Sequence, residues 1–544
     1  MGTKAAPVYN YSMMKTNDVL KAEFERHVAQ NLNESECDVN DASESLSRLR
    51  NSMSSAAEKV LPVVKPIRLR RRCVGDRTQH LYDERKRKFE SSTPPERKAA
   101  STAIMMSSRE DYRSYIDGIL DDMEAAERKG NMREISRLTK ILSGKKSSSV
   151  SPSKDVHGKP IMSTDQLLSS WKEFMSAKFA SPDNDRPKEH IVSEEDNLSD
   201  DELEACFKAL NKNRKAGWDN IPIEGYDGSL SAKQELFRIV RLIWDSELPP
   251  PDLVRGIFIM LYKKADRNDF ANYRAICLLC HAYKLLSAVI SRRMQVPLEA
   301  ILPDSQAGFR PARGARDNVC ILKWTIDMLL RESREAVVTF IDYTAAFDTL
   351  SHAFLDQALN QASVSCKLRR IIQAIYTAAT GCVRIRQHDG TIVDSEPFDI
   401  ARGVLQGDIF SSSAFIVGLW RTLTKHDLPD VGVTVGVAPY AVTISKLEYA
   451  DDIAFLDLDA NAASIRITSI SRGSSSDASM SISIKKTKAM HVHAKEKVSP
   501  TTEAEVIALK LKAKCPDCER TFKNERGMKI HRARWCDGGV TIRS

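Results

Sequence analysis

The sequence predicts an α+β fold with an antiparallel sheet, and three observations carry that expectation. Short apolar runs such as Ala336 to Ile341 alternate with helical patterns from about residue 199 to 495. The alternation lacks the regular strand–helix–strand rhythm that a parallel sheet requires. Acidic residues close two of the strand-like runs: Asp342 in FIDYTAAFD, and the adjacent pair Asp451 and Asp452 in EYADDIAF.

The 544 residues suffice for two to four domains, and 42% hydrophobic with 28% charged residues are globular values. Eighty-one Lys and Arg against 73 Asp and Glu give a net charge of +8. The excess gathers in Arg68, Arg70, Arg71 and Arg72, in Arg85 to Lys88, and in Lys510, Lys512, Lys514, Lys529, Arg532 and Arg534. Basic clusters beside acidic metal-ligand candidates point to a polyanionic partner. Eleven scattered cysteines without a secretory framework point to a reducing compartment. No apolar run is long enough to span a bilayer, so the expectation is a nuclear or cytoplasmic protein without membrane partners.

In chain order, residues 1–79 read as a polar, largely disordered segment, with SESLSRLRNSMSS as its low-complexity flavour. Residues 80–198 read as a helical linker region. Tyr112, Tyr115, Ile116, Ile119, Leu120 and Met123 recur at helical spacing, followed by Ile135, Leu138, Ile141 and Leu142. Gly130 and Asn131 separate the two helices, and Gly144 to Lys154 is a linker by composition. A further helix carries Leu167, Leu168, Trp171, Phe174 and Met175 on one face. Ser199 and Glu202 make a capping box before Leu203. Residues 199–495 form one compact unit, in which Ser469 to Ser483 reads as a loop. Residues 496–544 form a basic tail with its own module.

Adjacent ionised carboxylates repel, and an apolar surrounding tolerates them only if a cation is present. A lone Asp at a strand end is more often a helix cap or turn residue. Here Asp342, Asp451 and Asp452 occur on two strands, and such acids can hold paired divalent ions for in-line phosphoryl transfer. Between them, RGVLQGDIF (Arg402 to Phe410) places glycines where backbone approaches a ligand closely, with Gln406 able both to donate and to accept.

The order FIDYTAAFD, RGVLQGD, YADD and SISIKKTK (Ser481 to Lys488) resembles motifs A, B, C and D of reverse transcriptases. Upstream, KNRKAGWDNIPIE (Lys212 to Glu224), MLYKKAD (Met260 to Asp266), NYRAICLL (Asn272 to Leu279) and QAGFRPARG (Gln306 to Gly314) resemble the fingers of non-LTR (LINE-type) retrotransposon enzymes. The run covers residues 199 to 490, just over half the chain. Departures are Ile409 where a proline is usual, Ser483 where an asparagine is usual, and Trp218 and Asn220 in the first fingers motif.

The resemblance implies a right-hand polymerase of fingers and palm, its antiparallel palm sheet flanked by helices. It implies an RNA-directed DNA polymerase that extends a DNA primer on an RNA template with dNTPs and Mg²⁺ or Mn²⁺. Asp342 and Asp451 would hold the ions with Asp452 beside them, and Lys486 would give a proton to the leaving pyrophosphate. Phe347, five residues after Asp342, would exclude a 2′-hydroxyl. Gln406 and Gly407 would line template and nucleotide, Arg274, Arg310 and Lys263 would meet phosphates, and Tyr449 would pack near the primer end. No Tyr-Leu-Gly signature of a thumb follows motif D, and no endonuclease precedes the helical region, which suggests a truncated element. An inert copy that only binds nucleic acid is the alternative.

In the tail, Cys515, Cys518, His531 and Cys536 have the C-x2-C-x12-H-x4-C spacing of a tetrahedral Zn²⁺ site, with Phe522 and Met528 at the two core positions of a ββα finger. Cys277 and Cys280, in CLLCHAY, read instead as core thiols.

Overall fold

The computed structural model describes residues 8–35, 38, 40–63, 74–89, 91–128, 131–142, 151–181, 197–387, 391–427 and 432–493, and three short strands beyond them. In chain order the helices are α1 (Asp18–Glu34), α2 (Ala42–Val60), α3 (Asp76–Lys88), α4 (Pro94–Arg128), α5 (Met132–Leu142), α6 (Thr164–Phe179), α7 (Asp200–Ala209), α8 (Ile223–Asp227), α9 (Leu230–Ser246), α10 (His281–Ile301), α11 (Ala315–Arg331), α12 (Ala346–Thr349), α13 (His352–Gln361), α14 (Cys366–Ala378), α15 (Ser411–His426) and α16 (Ala460–Asp477). The strands are β1 (Gly256–Tyr262), β2 (Tyr273–Leu278), β3 (Ala336–Ile341), β4 (Thr380–Arg386), β5 (Ile392–Asp394), β6 (Phe398–Asp399), β7 (Val433–Val435), β8 (Val442–Ile444), β9 (Lys446–Tyr449), β10 (Asp452–Asp457), β11 (Lys488–Val492), β12 (Ile507–Leu509), β13 (Ala513–Lys514) and β14 (Thr521–Phe522).

The chain divides into two units, residues 62–151 and the remainder. In the smaller unit α3 lies against α4, and the Thr78 and Ser107 hydroxyls hydrogen-bond in their buried contact. Asp111 accepts from the Gly75 backbone N–H at 2.8 Å, which holds the start of α3. Arg85 to Lys88 occupy the last turn of α3, where cations suit the helix dipole.

The larger unit begins well before the expected boundary. The described part of residues 1–79 is not disordered as expected: α1 and α2 are long helices that bury Phe24, Val28, Leu49, Met53, Ala56 and Ala57 against α9. Capping explains where they start, since Asn17 and Asp41 each accept backbone N–H bonds at the two N-termini. The serines that made the segment look unstructured, Ser45 and Ser52, are small enough to sit buried on the inner face of α2. Arg48 of α2 pairs with Glu235 of α9 at 2.7 Å, and Arg238, paired with Glu235 within α9, donates to Ser45 Oγ of α2 at 2.7 Å. The expected 80–198 linker also splits, because α6 belongs to the larger unit. Trp171 of α6 packs edge-on against Phe270 and Tyr273, and Phe179 stacks on Phe398.

Two sheets organise this unit. The first runs β2-β1-β4-β5, with β6 also on β4; β1 and β2 are antiparallel and β1 and β4 parallel. The second is antiparallel throughout, in the order β12-β11-β3-β10-β9. Its centre is β3, AVVTFI, whose β-branched residues are buried on both faces. Alternation sorts them: Ala336 and Val338 join Leu329 of α11 on one face, and Val337 joins Ala463 of α16 on the other. The stretch from Ser469 to Asp477 is therefore helix rather than loop. It is polar in composition, but Ile467, Ile470, Gly473 and Ser474 are the buried side of α16. Gly473 admits His426, since a Cβ there would lie 2.1 Å from that ring.

Candidate active site

Asp342 follows the last residue of β3, and Asp452 opens β10. Ile341 pairs with Ile453, so Asp342 and Asp452 lie at the same end of two neighbouring antiparallel strands. Opposite residues in such a pair have Cα atoms about 4.5–5.5 Å apart. Asp451 stands next to them in the two-residue turn Ala450–Asp451 that joins β9 to β10, where Tyr449 pairs with Asp452. Ala450 holds φ at 56°, a left-handed conformation that costs a non-glycine residue energy and is kept only where the surroundings enforce it.

The enforcing groups come from Ser305 to Gly308. The side-chain oxygen of Gln306 accepts from the backbone N–H groups of both Ala450, at 3.0 Å, and Gly308, at 2.8 Å. Its amide donates to Glu448 at 3.3 Å, and Ser305 Oγ donates to the same carboxylate at 3.0 Å. Glu448 is buried, which pushes its pKa up, while Lys446 and these hydrogen bonds pull the other way. A Cβ on Gly308 would come within 2.3 Å of the Ala450 nitrogen, so only glycine permits this approach.

Burial is the main cause that raises the pKa of Asp451, followed by the neighbouring charges of Asp452 and Asp342; Lys486 opposes them. Lys486 Nζ lies 2.8 Å from Asp342 Oδ1, and Ser483 N donates to the Asp342 carbonyl at 2.7 Å. Asp342 is partly exposed and Asp452 exposed. Among the described residues, no three His, Cys, Asp or Glu side chains form a ready-made metal cage. Crowded hard oxygen donors with only one amine between them nevertheless suit a hard divalent cation, which would relieve the repulsion.

The rest of the predicted site assembles around this corner. Phe347, half-buried, stacks on Phe415 of α15 at 4.3 Å between centroids and meets Phe309 edge-on at 6.4 Å. Val404 N donates to the Phe347 carbonyl at 2.6 Å, so the loop after Arg402 fixes the ring's backbone. Gln406 reaches Asp348 at 3.5 Å, and its carbonyl accepts from Cys277 N on β2 at 2.9 Å. Gly407 has φ of 127° and lies so close to Cys277 that a Cβ would be 2.4 Å from its carbonyl. Asp408 is buried and accepts from Tyr283, Ser287, Ser411 and the Ile409 N–H, which anchors this loop to α10. Tyr449 is exposed beside the turn.

Lys263 and Arg274 are solvent-exposed cations near one another. The pKa of Lys263 is lowered first by desolvation, then by Arg274, Lys178 and Lys486, so four cations share this region. Arg310 corrects the expectation that it meets phosphates. It is buried, holds Glu299 through two nitrogens and donates to the Pro303 and Gln306 carbonyls. Its donors are spent on fixing the Ser305–Gly308 segment. Cys277 and Cys280 are core thiols, with burial pushing both pKa values up. Cys515, Cys518, His531 and Cys536 lie outside the described residues.

Sequence reasoning missed Gln306, Gly308, Glu448 and Lys178. The first three lie within stretches already noticed, QAGFRPARG and EYADDIAF, but Lys178 lies on α6, far ahead of the motif run, and no spacing signals it.

An antiparallel sheet with carboxylates at adjacent strand ends, faced by a glycine-containing loop and a group of cations, defines the palm of a nucleic-acid polymerase. Residues 262–517 match the reverse transcriptase (RNA-dependent DNA polymerase) family. The chain is 23% identical over 277 residues to the transposon TX1 uncharacterized 149 kDa protein of Xenopus laevis, covering 51% of this chain and 20% of that protein. It is 30% identical over 225 residues to the Pol polyprotein of the type-2 retrotransposable element R2DM of Drosophila melanogaster, covering 40% and 20%. It is 26% identical over 199 residues to the Pol polyprotein of the type-1 element R2 of Popillia japonica, covering 36% and 27%. The matches thus span about a fifth to a quarter of each relative's length. Among solved structures, an apo telomerase from Candida tropicalis truncated from its C-terminal domain aligns over 47% of this chain and 53% of its own, at 13% identity and a TM-score of 0.32. Residues 262–517 are thus similar to reverse transcriptases, and the relatives include Pol polyproteins of R2 retrotransposable elements.

Proposed function

We propose that the chain is an RNA-directed DNA polymerase that extends a primer 3′-hydroxyl with dNTPs on an RNA template. The observation that carries this reading is the meeting of Asp342, Asp451 and Asp452 at one end of β3 and β10. Asp342 and Asp451 would hold divalent Mg²⁺ or Mn²⁺, with Asp452 beside them. Cations bound there supply charge neutralisation for in-line phosphoryl transfer.

The chain's own residues would do the rest. Phe347, braced by Phe415, presents a flat ring where the nucleotide sugar would lie. Lys263 and Arg274 offer charge to the triphosphate, and Gln406 and Gly407 offer an amide and open backbone to template and base. Lys486, whose ammonium lies 2.8 Å from Asp342, would lend a proton to the leaving pyrophosphate. Tyr449 faces the solvent side of the turn, where a primer end would approach. The four tail ligands at Cys515, Cys518, His531 and Cys536 would close on Zn²⁺ as a small nucleic-acid-binding finger. The β13–β14 hairpin, with Ala513 opposite Phe522, supports a strand-built start to it.

Primer extension on homopolymer RNA with dNTPs and either metal tests the reading. The wild-type chain extends the primer, and Asp451→Ala abolishes extension while keeping RNA binding. RNA binding by the wild type with no incorporation under any metal would leave a binding protein instead.

A further inference from the structure

Lys178 is the last lysine of α6, a helix that precedes every polymerase motif in the chain. Its ammonium lies 2.6 Å from Asp348 Oδ2, and both side chains are largely buried, at 19% and 8% exposure. Asp348 directly follows Phe347, and its other oxygen receives the Gln406 amide. A continuous polar path therefore runs from α6 through Asp348 to Gln406, with the Phe347 ring on the adjoining residue.

The end of α6 is itself fixed to the same loop. Arg402 Nε donates to the Lys178 carbonyl at 2.9 Å, and Ala401 N donates to the Phe179 carbonyl at 3.2 Å. Phe179 is buried among Phe258 and Phe398. Gly403 leaves room for Asp348, because a Cβ there would stand 2.6 Å from the Asp348 backbone. Lys178 also adds its charge to those felt by Lys263. A lysine and carboxylate buried together, with each partner also fixed by backbone contacts, leave Asp348 little freedom to turn.

We propose that Lys178 is a positioning residue for the nucleotide site: through Asp348 it holds Phe347 and Gln406 in register with the incoming nucleotide. The helix ahead of the motifs is thereby a working part of the dNTP pocket. This rests on the polymerase reading above. Removal of the ammonium leaves the buried Asp348 without its counter-charge, so it rotates or recruits water, and Gln406 and Phe347 shift with it.

The test compares wild type, Lys178→Met, Lys178→Arg, Asp348→Asn and the double variant Lys178→Met/Asp348→Asn in steady-state incorporation. Thermal melting of each variant is measured alongside. Lys178→Met is expected to raise KM for dNTP by about tenfold and to narrow the preference for dNTP over rNTP, with kcat changed far less. Lys178→Arg restores both. The double variant is no worse than the poorer single, because the two side chains act through one contact. If wild type does not incorporate dNTPs, the polymerase reading has failed. If wild type incorporates and Lys178→Met keeps its KM and sugar preference, this inference alone is overturned. Should Lys178→Met melt far below wild type, Lys178→Arg and Asp348→Asn decide: unchanged KM and preference in Asp348→Asn also overturns it.

Discussion

Gly308 offers the sharpest test of how the turn that carries Asp451 is held. Replacing it with alanine puts a Cβ 2.3 Å from the Ala450 nitrogen and 2.9 Å from Gln306 Oε1. The first is backbone of the turn that carries Asp451, and the second is a side-chain oxygen held by two backbone N–H groups. Ordinary contact begins near 3.4 Å, so the turn has to move by about 1 Å. A misplacement of that size in a reacting constellation costs on the order of 100-fold in rate, or about 2.7 kcal/mol in barrier. Single-turnover incorporation on a primed homopolymer RNA reads the rate, with RNA affinity and melting temperature measured in parallel. Gly308→Ala should lose about two orders of magnitude while still binding RNA. Gly118→Ala is the matched control, because a Cβ on that helical glycine meets nothing within 4 Å. Incorporation by Gly308→Ala at the wild-type rate, with melting unchanged, would show that the close approach does not position Asp451.

Two further outcomes follow from buried groups. Arg310→Ala strips Glu299 of its partner and removes one donor each from the Pro303 and Gln306 carbonyls, so it should destabilise by about 1–3 kcal/mol. Chemical denaturation checks it, and a large loss of dNTP affinity with stability intact would restore the phosphate role. His352 is held at a pKa of about 4 by burial, with Gly403 O at 2.8 Å from Nε2 opposing the shift, and stacks on Tyr376 at 4.3 Å. The unfolded chain takes up a proton near pH 6.5 that the folded chain refuses until about 4. Its stability contribution is thus complete above about pH 6.5 and declines as pH falls toward 4, by about 3 kcal/mol at most. His281, also lowered to about 4, acts in the same sense. His352→Phe should flatten the loss of stability between pH 7 and 5, and an unaltered slope by denaturant titration would count against the assignment.

Much of the site was legible because the chemistry left no cheaper explanation for its residues. Two adjacent aspartates after a β-type run, and a third ending another, have few uses besides a cation site, and β3 and β10 bring them together. The core thiols were legible from their apolar setting. Arg310 was misread because an exposed and a buried arginine look alike in sequence; Glu299, its partner, is eleven residues away and carries no signal. The N-terminal helices were missed because serine content suggests disorder, whereas small hydroxyl side chains also permit close helix contact. Lys178 was invisible for a different reason. Its meaning depends on where α6 ends relative to the loop at Arg402, a tertiary fact that no local spacing encodes.

The packing of α1, α2 and α6 into the larger unit has a practical corollary for anyone cutting the gene. A fragment started at the first recognisable motif would strip Phe179 from its ring partners Phe258 and Phe398 and bare the surface of α9 that Leu49 and Met53 cover. The smallest piece that keeps its interior dry therefore begins about 200 residues before Lys212, where the motifs start, near Tyr11.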